Sequence, residues 1–192
     1  MERYVTESML RAVISAIAAS ATSFLFVTPA LATNVYVEFF DSTQVQVSAV
    51  FTAPQSNTNA WPYQGTISNT DARYTAFMSL QAQNAVANQL ASGAVVTCIS
   101  ATSLSGTYAV SAPAQAALAG AFTSAAAGHV LGGGSTFNYP DTSGTPHAFT
   151  AAQFVTVGNA LGDYAYKVNA QGAVIAGGGT PTWPSNALSP SC

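Results

Sequence analysis

The chain has 192 residues, of which 49% are hydrophobic and only 6% charged, with a net charge of −3. That length suits one domain with or without a leader, and the apolar share is enough for a real core. Only Arg3, Arg11, Arg73 and Lys167 are basic, too few to neutralise a phosphate backbone, so nucleic acid is excluded as an expected partner.

The first 32 residues read as a signal-peptide-like leader. Residues 12–27 are apolar and rich in small side chains, and Pro29-Ala30-Leu31-Ala32 supplies an A-x-A exit that places cleavage before Thr33. A start at Met9, followed by Leu10 and Arg11, gives a cleaner leader than residues 1–8, where Glu2 and Glu7 offset Arg3. Two other readings stand beside it: an uncleaved anchor, and upstream sequence outside the true gene start. The apolar run falls short of the about 20 residues a membrane span needs, so no stable span is expected after processing.

From residue 34 the pattern turns to period two. Val35, Val37 and Phe39, then Val45, Val47, Ala49 and Phe51, flank Asp41-Ser42-Thr43 and predict a β-hairpin. Residues 52–66 read as loop. A first helix is expected from Thr70 or Asp71, with Tyr74, Met78, Ala82 and Ala85 on one face and Ser92-Gly93 as its stop. Residues 95–99 and 108–110 read as strands around a turn at 103–106.

Ser111 and Pro113 open a second helix whose apolar stripe is Ala114, Leu118, Ala121, Phe122 and Ala125. His129 is placed in its last turn, where a cation would meet the negative end of the dipole. After Gly132-Gly133-Gly134, residues 137–149 predict two short strands around Pro140-Asp141-Thr142-Ser143-Gly144. Thr150 and Gln153 have capping-box spacing, and Phe154, Val157, Leu161, Tyr164 and Val168 repeat at helical spacing through a third helix. Asp163 and Lys167 are expected to pair across one turn of its exposed side. Residues 176–192, rich in Gly, Pro and Ser, are expected to be disordered.

The expectation is therefore an α+β fold: an N-terminal β-hairpin, then three helices interleaved with short antiparallel strands, in one domain over residues 33–175. Cys98 and Cys192 admit two readings. Export permits a disulfide between them, whereas the apolar run around Cys98 equally suits a buried free thiol.

Chemistry is sparse. Asp141, Ser143 and His147 allow a Ser/His/Asp set to be written down, but all three sit on one turn, and a triad needs members held by separate rigid elements. A turn held by the Asp141 carboxylate, with His147 at a strand edge, is the simpler reading. Glu38, Asp41, Asp71, Asp141 and Asp163 show no paired spacing for acid–base work. No Cys or His spacing suits a metal, and no phosphate loop follows the triple glycines, so no metal and no cofactor is expected. The remaining candidates for binding are Trp61, Tyr63 and Tyr139, joined by His147 and by the Trp183 ring, which suit a glycan or a protein partner if exposed.

Two stretches carry a resemblance. Val35-Tyr36-Val37-Glu38-Phe39-Phe40-Asp41-Ser42-Thr43, with Ile67-Ser68-Asn69-Thr70-Asp71-Ala72-Arg73-Tyr74-Thr75-Ala76-Phe77, resembles the N-terminal part of small phage tail-associated proteins. Ser105-Gly106-Thr107-Tyr108-Ala109-Val110 and then Asp141-Thr142-Ser143-Gly144-Thr145-Pro146-His147-Ala148-Phe149-Thr150-Ala151-Ala152-Gln153-Phe154 look like an uncharacterised domain of phage and prophage tail-fibre proteins. The likeness covers residues 35–170. It implies a non-enzymatic structural or binding module that self-associates or binds protein partners in a virion assembled in the cytoplasm. It transfers no functional residue. The leader implies instead an exported surface or periplasmic protein that binds through its loop aromatics, and a third reading is an exported hydrolase using Ser143 or another serine with His147.

Overall fold

A computed structural model describes residues 32–192. The leader expected over residues 1–32 lies outside the described residues, apart from Ala32. Residues 34–192 form one compact unit, and its elements are the α+β set that the periodicities predict.

The period-two runs become β1 (Asn34–Phe39) and β2 (Val47–Phe51), paired antiparallel from Tyr36 opposite Phe51 to Phe39 opposite Val47. The ladder shifts register between Glu38 and Phe39. Val45 stays outside the strand and exposed. The expected loop ends in a third strand, β3 (Gln64–Ser68), antiparallel to the other side of β1, so the hairpin is a three-stranded sheet of order β2-β1-β3.

One face of this sheet buries Val37, Phe39, Val47 and Ile67 beneath Tyr74 and Phe77 of α1 (Ala72–Ala91). Asp71 caps α1 by accepting from the Arg73 backbone N–H, as a short polar side chain at that position should. The Arg73 guanidinium closes the junction, donating to both Asp71 oxygens and to the Gln44 carbonyl while lying 5.1 Å over the Phe39 ring.

Gly93 ends α1 with φ +72°, and a Cβ there would lie 2.9 Å from the Tyr108 carbonyl oxygen. Glycine is thus required twice over, for the left-handed turn and for the close approach of the next strands. These are β4 (Ala94–Val96) and β5 (Gly106–Tyr108), antiparallel, with a 3₁₀ turn at Thr102–Leu104 between them.

Next, α2 (Ala112–Ala126) buries Leu118 and Ala125 of its expected stripe. His129 falls beyond its end, exposed, with its backbone N–H donating to the Ser124 carbonyl. This corrects the last-turn placement: the helix stops at Ala126, before the Gly128 turn at φ +73°.

The hairpin β6 (Phe137–Pro140) and β7 (Pro146–Phe149) leads into α3 (Ala151–Ala176). Both halves of the Thr150/Gln153 capping box are formed. Phe154, Val157, Leu161, Tyr164 and Val168 are all buried, in the large core shared with Val96, Leu104, Tyr108 and Phe149.

The C-terminal segment corrects two expectations. Residues 176–192 are not disordered: β8 (Ala187–Leu188) pairs with β4, and the pairing is parallel, so the second sheet is mixed, in order β5-β4-β8. Trp183 and Leu188 pack on the large core. Cys192 is joined to fully buried Cys98 by a disulfide, with Cα atoms 5.3 Å apart. Cohesion comes from this cross-link and from backbone pairing with β4, which local composition does not register. Among the described residues, no helix is long and apolar enough to cross a membrane.

Candidate functional site

The one constellation of chemistry-bearing side chains suggested by the residues forms where the β6–β7 turn folds onto the 3₁₀ turn and β5. The Asp141 backbone closes the turn, its N–H donating to the Thr145 carbonyl and its carbonyl accepting from Gly144. Asp141 Oδ1 accepts three hydrogen bonds, from Ser143 N–H (2.9 Å), Ser143 Oγ (2.6 Å) and Thr145 N–H (2.9 Å). These donors hold its carboxyl down at about 2, the Ser143 hydroxyl contributing most, with His147 adding to them and desolvation opposing.

Asp141 Oδ2 lies 3.3 Å from His147 Nε2. The other ring nitrogen, Nδ1, is 2.7 Å from the Ser103 carbonyl oxygen, to which it donates. His147 is 8% exposed. Its neighbour Gly106 is matched to it in size, since a Cβ there would sit 3.1 Å from both Asp141 Oδ2 and His147 Nε2. Thr142 N–H donates to the Thr107 carbonyl at 2.7 Å, fastening the turn to β5.

Aromatic rings complete the enclosure. Tyr108 stands 5.6 Å from the His147 ring, and its hydroxyl donates to the Leu104 carbonyl at 2.6 Å. Burial, reinforced by the Asp141 charge, pushes the Tyr108 phenol well above its ordinary range. Tyr139 pairs with His147 across the hairpin and packs 5.0 Å from Phe154. Burial raises its phenol too.

This wiring differs from that of a nucleophile and base. A catalytic serine donates to the imidazole, and the imidazole is oriented by a carboxylate behind it. Here the carboxylate lies in the middle: Ser143 Oγ is bonded to Asp141, and both His147 nitrogens face acceptors, one a carbonyl and one a carboxylate. The arrangement staples turn to strand to 3₁₀ turn.

The other aromatic candidates lie elsewhere. Trp61 is half-buried, edge-on to Phe51 at 5.0 Å, in the segment that leads into β3. Tyr63 keeps 38% of its surface. Its backbone N–H donates to Glu38 Oε1 at 2.8 Å and its carbonyl accepts from Phe39 N–H. Glu38, missed as an anchor by sequence reasoning, is 5% exposed beneath this segment, and its Oε2 has no hydrogen-bond partner among the described residues. The four candidates thus divide, with Trp61 and Tyr63 on the first sheet and Tyr139 and His147 on the large core.

Sequence reasoning also missed Ser103, Gly106 and Tyr108 as the surroundings of His147. The one available signal was Gly106 beside Tyr108, because a glycine in a strand often marks a close approach. Among the described residues, no three His, Cys, Asp or Glu side chains converge as metal ligands would. Comparison with protein-family models, with curated proteins and with solved structures finds no match to the chain.

Proposed function

We propose that the chain is a non-enzymatic structural or binding module that acts through contacts with other protein chains. The observation that carries this reading is the bonding of Asp141, Ser143 and His147 among themselves and to Ser103, which commits the hydroxyl and both ring nitrogens to structural partners. The scarcity of charge supports it as well, since surfaces of Ala, Ser, Thr and Asn suit a subunit packed in an assembly. It also argues against a nucleic-acid partner.

The test is hydrolysis of ester, peptide and glycan substrate panels by the wild type and by Ser143→Ala and His147→Ala. No turnover that depends on these residues is expected. Activity lost in both variants while their circular dichroism stays native would overturn the reading.

The tail-fibre likeness of residues 35–170 makes a virion or prophage tail one setting for such a module. The disulfide favours the second setting, an exported surface or periplasmic protein, because structural disulfides persist in oxidising compartments and are rare in the cytosol. There the exposed Tyr63 ring beside Trp61 is the contact that would meet a glycan or a protein. Fractionation of the native host with intact-mass analysis separates the two. A chain beginning at Thr33 in periplasm or medium, with Cys98 and Cys192 linked, supports export. Recovery in purified particles with free thiols supports the tail.

A further inference from the structure

The outward face of α3 carries an unusual combination. The buried positions Phe154, Val157, Leu161, Tyr164 and Val168 set the inward direction, and at 100° per residue Asn159, Asp163, Tyr166 and Ala170 point away from it. Tyr166 is 77% exposed, the most exposed large apolar side chain described. One turn before it, Gly162 is open: apart from its own helix backbone, nothing among the described residues lies within 4 Å of where a Cβ would stand.

Gly162 and Tyr166 lie on the flank of α3 that lines a groove of about 490 Å³ against Leu118 and Phe122 of α2. Lys167 lies on the opposite flank, lining with Asp163 a second groove, against the 184–190 segment. Asp163 and Lys167 were expected to pair with each other. Both are exposed, and no ion pair joins them. Nor does either side chain, or the Tyr166 hydroxyl, have a hydrogen-bond partner among the described residues.

We propose that this face binds a second copy of the chain about a two-fold axis lying across α3, level with residues 164 and 165. Such an axis reverses the helix direction but keeps each flank facing its own counterpart. Tyr166 of one copy then enters the notch above Gly162 of the other, and Asp163 lies opposite Lys167 of the other. Each contact occurs twice, as an isologous interface requires.

Ring, notch, acid and base are thus all self-complementary under one operation. The charges on the face match, and an antiparallel pair of α3 helices would be held by ridges set into the two flanking grooves. The 26 residues of α3 make a helix about 39 Å long, so the roughly 800 Å² per partner of a standard interface asks for a strip about 20 Å wide, which takes in both flanking grooves. The inference adds a surface to the module reading and rests on it only in taking protein contact to be its business.

The experiment is sedimentation equilibrium and native mass spectrometry of the full chain as its host makes it, beside four variants. The wild type is expected to dimerise. Asp163→Lys places lysines opposite lysines and Lys167→Asp places acids opposite acids, so each variant alone should associate at least about tenfold more weakly. Mixed in equal amounts they should restore a dimer of one chain of each kind, because both cross-pairs are then opposite in sign. Tyr166→Ala and Gly162→Leu, removing the ring and filling the notch, should weaken association without complementing each other.

A wild type that is monomeric at every accessible concentration overturns the proposal, as does a dimer indifferent to all four changes, or a mixture that fails to form the heterodimer. None of these outcomes touches the non-enzymatic reading, which fails instead on hydrolysis dependent on Ser143 and His147.

Discussion

Asp141 does at residue scale what a longer chain segment would otherwise do, since one carboxylate gathers its own turn and faces the imidazole of the returning strand. Its pKa is about 2 in the folded chain against 3.8 ordinarily. Its contribution to stability is therefore fully present above about pH 4 and is lost as the pH falls through about 2. Thermal midpoints measured between pH 5 and pH 2 should fall for the wild type, and the fall should be shallower for Asp141→Asn, from a lower starting midpoint. Asp71 also sits at about 2, chiefly through its side-chain bonds to Arg73, so a residual slope is expected in the variant. Gly106→Ala should act on the same cluster by crowding, because its Cβ would lie 3.1 Å from both Asp141 Oδ2 and His147 Nε2. Over-packing of this kind costs about 1–3 kcal/mol, readable as a lowered urea midpoint. At this scale the sequence discloses the turn, because Asp, Ser and Gly at neighbouring positions have local bonding habits. It does not disclose Ser103 as the partner of His147, 44 residues away, since nothing local encodes that contact.

At the scale of elements, two glycines one turn apart in α3 should respond in opposite senses. A Cβ at Gly158 would meet Phe122 Cδ2 at 2.6 Å, so Gly158→Ala must displace a half-buried ring that packs on the core. The about 1 kcal/mol gained in helix propensity is then outweighed by over-packing. Gly162→Ala meets nothing, and in dilute, monomeric protein it should raise stability by about 1 kcal/mol. Denaturant unfolding of both variants checks the pair, and equal shifts would contradict the assigned packing. Thr150→Ala removes half of the capping box and should cost about 1 kcal/mol. The helices were legible because an apolar stripe of period 3.6 is written in the residues that form it. Two of the short strands have no such record. Gln64–Ser68 reads QGTIS and becomes a strand only because β1 offers it an edge, and Ala187–Leu188 has only two residues with which to show any period.

Over the whole molecule, the least legible feature is the one that binds the ends of the large core together. A Gly/Pro/Ser-rich segment looks disordered when judged by composition, yet Cys192 is tied to Cys98 across 94 residues of sequence. Closing a loop of that length removes enough freedom from the unfolded chain to contribute about 4–5 kcal/mol in the chain-entropy account. The cross-link also holds in place the backbone bonds from Val95 to Asn186, Thr97 to Leu188 and Ile99 to Pro190, and the packing of Trp183 and Leu188. Reduction, or Cys192→Ala, is therefore expected to act in two stages. The amides of Val95, Thr97 and Ile99 should lose hydrogen-exchange protection first, as the 177–192 segment leaves β4. The global melting midpoint should fall with it. Protection in β1 and β3 should change least, because the Val37, Phe39, Val47 and Ile67 core is separate from the one that the disulfide closes. Exchange measured with and without reductant tests both halves of this argument. Unchanged protection at Val95, Thr97 and Ile99 would mean that strand pairing alone holds the segment. Equal loss across β1 and β3 would mean that the two cores unfold as one.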